Sequence, residues 1–148
     1  MFTEVITPRF LETDALGHIN NNTYGVWFEA ARDQFFRIFV PDLDIKKWNL
    51  VIAHSSFDFL REVFFGKDVV VKTAISKLGN SSVDLIHAVY QDGKLCTTGK
   101  GIMIHFNLET KKSMPIPDSI REELEKHMLT SPWPATLEEV EAIESKDI

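Results

Sequence analysis

An α+β domain, with an antiparallel sheet of about five strands laid against one long helix, is what this sequence predicts. Three observations carry that expectation. Between Tyr24 and Phe39 the apolar residues recur with a helical period, the most regular such run in the chain. After Pro41 the period changes to two and stays so as far as Phe106. The period-two segments are joined by short turns rather than by helices, which makes neighbouring strands antiparallel. A chain of 148 residues suits one domain with a proper core.

Residues 2–10 lean towards β and are limited by Pro8, so they read as an edge strand. The helix stripe is Tyr24, Trp27, Phe28, Ala31, Phe35, Ile38 and Phe39, with spacings of 3, 1, 3, 4, 3 and 1. Val26, Ala30 and Phe36 widen it, which predicts a mostly buried helix. Glu29–Arg32 and Asp33–Arg37 stand at pairing distance on the remaining arc, and Pro41 ends the run. Phe57, Phe59 and part of Leu50–Ala53 give a strand to about Val63. Val69, Val71, Thr73 and Ile75 alternate as far as the turn "KLGNSS". Val83, Leu85, His87 and Val89 alternate next, with His87 inward or at an interface, up to the Asp-Gly hairpin signal "QDGK". Leu95 to Phe106 forms one long strand, where Gly99 and Gly101 signal a bend or a close backbone approach. Residues 117–128 read as an amphipathic closing helix. The domain then spans 1–128, and 129–148 form an acidic C-terminal tail, either a short surface helix or frayed.

Bulk properties exclude several functions. The net charge of −6, with no lysine/arginine-rich run, argues against nucleic-acid binding. The single cysteine, Cys96, excludes an internal disulfide and a multi-cysteine zinc site, and it reads as a small buried hydrophobe. No two histidines or acids have helical metal spacing, so no metal is expected. No G-x-S-x-G or phosphate-loop pattern occurs. "MFTEVITPRF" lacks the features of a signal peptide, and no apolar run approaches the ~18 residues that span a bilayer. A cytoplasmic protein without membrane contact is expected.

Residues 14–22, "DALGHINNN", place an acid, a histidine and three asparagines directly ahead of the apolar helix. A helix start carries unpaired N–H groups and partial positive charge, which can polarise a carbonyl oxygen. An acid held beside it could serve as general base on water or attack the carbonyl itself. Gly17 would let the loop fold back so that Asp14 and the helix start face one atom. The arrangement suits acyl transfer to water. Each residue also has a plainer use: Asp14 as a turn cap, His18 bonded to backbone, Asn20, Asn21 and Asn22 as turn and cap residues, and Tyr24 and Trp27 as core.

"ETDALGHINNNTYGVWFEAAR" resembles the D-x-x-G-H-x-N-N-x-x-Y-x-x-x-F/W-E-x-A-R signature of hotdog-fold acyl-CoA thioesterases of the 4-hydroxybenzoyl-CoA thioesterase-like group. The meander from His54 to Pro117 is similar to that family's strand–G-D–strand–G-x-S-S–strand–D-G–strand pattern, and the likeness covers about residues 3–126. The resemblance implies the hotdog fold, an antiparallel sheet wrapped around one long helix, in a homodimer or homotetramer with active sites at the interface. It implies hydrolysis of a fatty or aromatic acyl-CoA without a cofactor. Asp14 matches the catalytic carboxylate, the backbone N–H near Asn21 the carbonyl-polarising group, and His18 and Asn20 the supporting loop residues. Tyr24 would line the pocket beside the thioester, with Trp27 among the aromatics that set its depth. Lys77, Asn80, Ser81 and Ser82 fall where relatives contact the coenzyme A nucleotide. Asn80 stands where relatives often carry a base, which leaves an acyl-carrier-protein thioester as an alternative substrate. Two other functions fit the same fold: a non-catalytic acyl-CoA-binding module, and a 3-hydroxyacyl dehydratase, against which the order Asp14, Gly17, His18, Asn20 argues.

Overall fold

In the computed structural model, which describes residues 1–146, the apolar stripe from Tyr24 to Phe39 forms two consecutive helices, α1 (Thr23–Ala31) and α2 (Asp33–Phe39). Arg32 separates them, with its N–H shared between the carbonyls of Phe28 and Glu29, both at 3.1 Å. The helical path continues because Phe36 N donates to Arg32 O at 2.8 Å. Tyr24, Trp27, Phe28, Ala31, Phe35 and Phe39 are buried. Val26 is 59% exposed and Ala30 also faces solvent, so the buried face is narrower than the sequence suggests. Arg37 Nε pairs with Asp33 at 3.0 Å as expected, whereas Glu29 is exposed and Arg32 turns inward. Burial of its aliphatic stem against the sheet draws Arg32 away from its neighbour in sequence.

The sheet consists of β1 (Phe2–Ile6), β2 (Leu50–Phe59), β3 (Val69–Leu78), β4 (Ser82–Gln91) and β5 (Lys94–Asn107), in the order β1-β3-β4-β5-β2 with antiparallel pairing throughout. A two-residue strand, β6 (Lys112–Ser113), adds to β5. The β4–β5 hairpin turns at Asp92 and Gly93, with φ of 52° and 75°, the double positive-φ geometry that an Asp-Gly pair favours. Val69, Val71, Ile75, Val83, Leu85 and Val89 turn inward with period two and pack against the helices. Gly99 marks the close approach: a Cβ there would stand 2.3 Å from Phe28 Cε2. This glycine lets α1 lie directly on β5.

Beyond β6, α3 (Asp118–Glu125) buries Leu124 against the core beside α2, while α4 (Leu137–Lys146) lies over a small separate cluster on the sheet. Val140, Trp133 and Leu137 pack there with Ala88, Tyr90 and Leu95. Tyr90 Oη donates to Pro134 O at 2.8 Å, and Lys72 Nζ, almost wholly buried, meets Glu144 at 2.6 Å. Residues 147 and 148 of the expected tail lie outside the described residues. No helix is long and apolar enough to cross a membrane among the described residues.

Candidate active site

The loop between β1 and α1 is tied to the body of the protein at several points. Ile19 N donates to Val63 O and Asn20 N to Glu12 O, both at 2.8 Å, and Phe65 N donates to Gly17 O at 3.2 Å. Gly17 has φ of 78°, a conformation that L side chains rarely adopt, and it reverses the loop behind Asp14. Asp14 N donates to His18 O at 2.8 Å, which closes the reversal. Asp14 Oδ1 accepts from the N–H groups of Leu16 at 2.8 Å and His18 at 3.2 Å. One carboxylate oxygen therefore holds the turn, and Oδ2 has no hydrogen-bond partner among the described residues.

Asn20 leads into α1. Its Oδ1 accepts from Asn22 N and its carbonyl from Thr23 N, both at 2.9 Å. Asn21 follows with a backbone N–H that has no partner among the described residues, at the positive end of α1. Asp14, His18, Asn20, Asn21 and Tyr24 line one cavity of about 400 Å³. Its other wall is the end of β2 and the segment that follows: Phe59, Leu60, Arg61, Glu62 and Val63. Tyr24 is buried, with its ring 5.3 Å from that of Phe59. Burial pushes its phenol above the ordinary value, so it remains a neutral hydroxyl. His18 Nε2 points to Glu62 at 3.4 Å, and its ring meets Phe64 edge-on at 4.9 Å. An acid, a residue with an unpaired backbone N–H and an apolar wall thus share one open cavity.

Residues 8–124 match the Thioesterase-like superfamily. This chain belongs to that superfamily. A predicted thioesterase from Bacillus stearothermophilus is 43% identical, with a TM-score of 0.86 over 88% of this chain and 98% of that one. A thioesterase from Thermus thermophilus, solved with coenzyme A and zinc, is 29% identical, with a TM-score of 0.74 over 83% of this chain and 96% of that one. The uncharacterized protein YsmA of Bacillus subtilis is 30% identical over 83% of this chain and 84% of its own length. The fold is the hotdog, and the protein is a thioester hydrolase.

Not every residue singled out in the sequence of this thioesterase meets at the cavity. Trp27 is buried outside the lining and donates its indole N–H to Glu12 Oε2 at 3.0 Å. Lys77, Asn80, Ser81 and Ser82 lie at the β3–β4 turn. The Asp14 loop joins the other end of β4, where Gln91 accepts from Phe64 N at 2.9 Å. At about 3.3 Å per residue the length of β4 puts roughly 30 Å between the two within one chain.

Three contributors escaped the sequence. Glu12 is 8% exposed, holds Trp27 and accepts from Arg9 N at 2.7 Å, while its carbonyl anchors Asn20. Two residues before Asp14, it carries no periodic signal. Arg61 and Glu62 reach the cavity from a segment about forty residues away in sequence, placed there by the β2–β5 pairing and by the bond from Ile19 N to Val63 O.

Proposed function

We propose that this thioesterase hydrolyses fatty or aromatic acyl-CoA, with Asp14 as base or nucleophile and the amino end of α1 as the oxyanion site. One observation carries the proposal: Asp14, which keeps an unpaired carboxylate oxygen, and Asn21, which keeps an unpaired backbone N–H, both line the same cavity. A thioester carbonyl seated against the helix start would be polarised by the N–H groups and dipole that meet its oxygen. Water held by Asp14 then adds to the carbonyl carbon and gives its proton to the carboxylate. The tetrahedral intermediate collapses, the C–S bond breaks, and the departing thiolate recovers that proton. Gly17 and the Asp14 Oδ1 bonds fix the acid in place, so little reorganisation accompanies the step. His18 and Asn20 hold the loop, and Tyr24 with Phe59 forms an apolar wall for the acyl group.

The coenzyme A bound in the Thermus thermophilus relative supports that carrier here. Arg61 supplies a cation at the cavity against the overall acidic charge. We further propose a homodimer or homotetramer with interface active sites, in which a second copy brings Lys77 and the Asn80–Ser82 turn to the nucleotide. The lone buried thiol of Cys96 fits a reducing cytoplasm.

The test is thiol release from a panel of short, long and aromatic acyl-CoAs, comparing the natural protein with Asp14→Asn. We expect the variant to lose about a hundredfold or more in kcat. Unchanged turnover would remove Asp14 from the chemistry. Tight binding without thiol release by the natural protein, across the whole panel, would favour an acyl-CoA-binding module.

A further inference from the structure

Two spaces meet at the level of Tyr24 and Gly25 on α1. Tyr24 and Phe59 line the catalytic cavity of about 400 Å³. Gly25, the next residue of the helix, and Ser55, four residues before Phe59 on β2, line a groove of about 540 Å³. That groove runs on beside the helix as far as Phe36, and its walls are mostly apolar, Trp48, Ile52 and Met103 among them.

Phe57 lies midway between Ser55 and Phe59, and the period of two turns all three side chains to one face of the strand. Its ring is nearly parallel to those of Phe59, 6.3 Å away, and Phe28, 5.6 Å away. The ring also reaches the helix. A Cβ at Gly25 would stand 3.7 Å from Phe57 Cζ, an ordinary van der Waals contact. Phe57 thus bridges from strand to helix at the one point where the helix carries no side chain. Phe28 is itself buried, so the ring that bridges the gap is held by a fixed aromatic neighbour.

We infer that Phe57 is the partition between cavity and groove and thereby the residue that sets acyl-chain selectivity. The inference rests on the proposed hydrolysis of acyl-CoA and narrows its substrate to compact acyl groups, short-chain or with a single ring. The cavity must hold the thioester, the attacking water and the end of the carrier's arm besides the acyl group, and its volume is near the lower end for ligand sites. A longer chain meets the Phe57 ring and turns out through the open mouth, where its further methylenes gain no burial.

Thiol release from butanoyl-CoA and decanoyl-CoA tests this, read as the ratio of their kcat/KM values. The natural protein should gain nothing from the longer chain. Phe57→Ala joins the two spaces. At about fourfold per buried methylene, seating about four more carbons in the groove should raise the decanoyl-to-butanoyl ratio about a hundredfold or more. Phe57→Leu, which removes the ring and keeps the site filled in part, should move the ratio the same way by about tenfold, and it serves if the alanine variant fails to fold by circular dichroism. Adding Gly25→Leu to Phe57→Ala puts a side chain into the vacated space from the helix side and should return the ratio to the natural value. A natural protein that strongly prefers decanoyl-CoA overturns the partition. So does a ratio unchanged in folded Phe57 variants, or one that rises and is not reversed by Gly25→Leu. In each of these cases thiol is still released, and the hydrolysis reading stands. Release from no acyl-CoA by the natural protein overturns that reading, and the selectivity role with it.

Discussion

Lowering the pH should destabilise this protein through one buried side chain, His87. It is fully buried on β4, its ring stacked 4.6 Å from that of Phe28. Arg32 can only donate, so the 3.4 Å contact from its guanidinium makes His87 Nε2 an acceptor. Nδ1 then carries the proton and donates to Thr73 Oγ1 at 2.8 Å. Burial, reinforced by the Arg32 charge, pushes the pKa of His87 from 6.5 down to about 3. The unfolded chain takes up a proton below its ordinary value, whereas the folded chain resists until about 3. Stability is therefore complete at neutral pH and is lost as the pH falls from 6.5 towards 3. Linkage gives a loss of about 2.7 kcal/mol at about pH 4.5 from this group alone. That is a large part of a total that is typically about 5–15 kcal/mol.

The assay is urea unfolding, followed by tryptophan fluorescence, at neutral pH and at about pH 4.5. The natural protein is compared with His87→Gln, which can accept from Arg32 and donate to Thr73 but cannot charge. Every other group is common to both proteins and cancels in the double difference. The natural protein should lose about 2–3 kcal/mol more than the variant over that interval. Equal losses would show that His87 is not held neutral in the folded state, and the account of the Arg32–His87–Thr73 arrangement would fail.

Two further substitutions probe the packing that positions the site. Gly99→Ala brings a Cβ to 2.3 Å from Phe28 Cε2 and should cost about 1–3 kcal/mol in urea unfolding, a penalty that Phe28→Leu in the same chain should relieve. If the single substitution is neutral, α1 does not lie on β5 as closely as described. Glu12→Ala strands the indole N–H of Trp27 and the backbone N–H of Arg9, both deprived of their acceptor. It should destabilise by about 2–3 kcal/mol and change the Trp27 fluorescence, and a change below about 0.5 kcal/mol would rule out a holding role for that carboxylate.

Much of the fold could be read from local pattern. The stripe from Tyr24 to Phe39 became helix and the alternating runs from Val69 to Phe106 became strand, because each periodicity directs its apolar side chains to one face. Asp92-Gly93 formed its hairpin because both positions need positive φ. Gly99 marked a close approach because a side chain there has no room. The outward turn of Val26 and Ala30 was not legible, since their exposure depends on where the sheet ends beside the helix. For the site, the loop from Asp14 to Asn21 stood out by residue type. Its far wall did not: Phe59 to Val63 carry the signals of a strand end and nothing more.

By itself the sequence determined the elements, the turn residues and the acid placed ahead of a helix, since these rest on backbone preferences and periodicities confined to a few neighbouring residues. The tertiary structure alone decided that Arg32 turns from Glu29 to His87, that Glu12 holds Trp27, and that Arg61 lines the same cavity as Asp14. Those placements join residues 15 to 55 positions apart, and chain closure over such distances leaves no local trace. It also decided that the β3–β4 turn stands a strand's length from Asp14, because an extended chain carries its two ends apart.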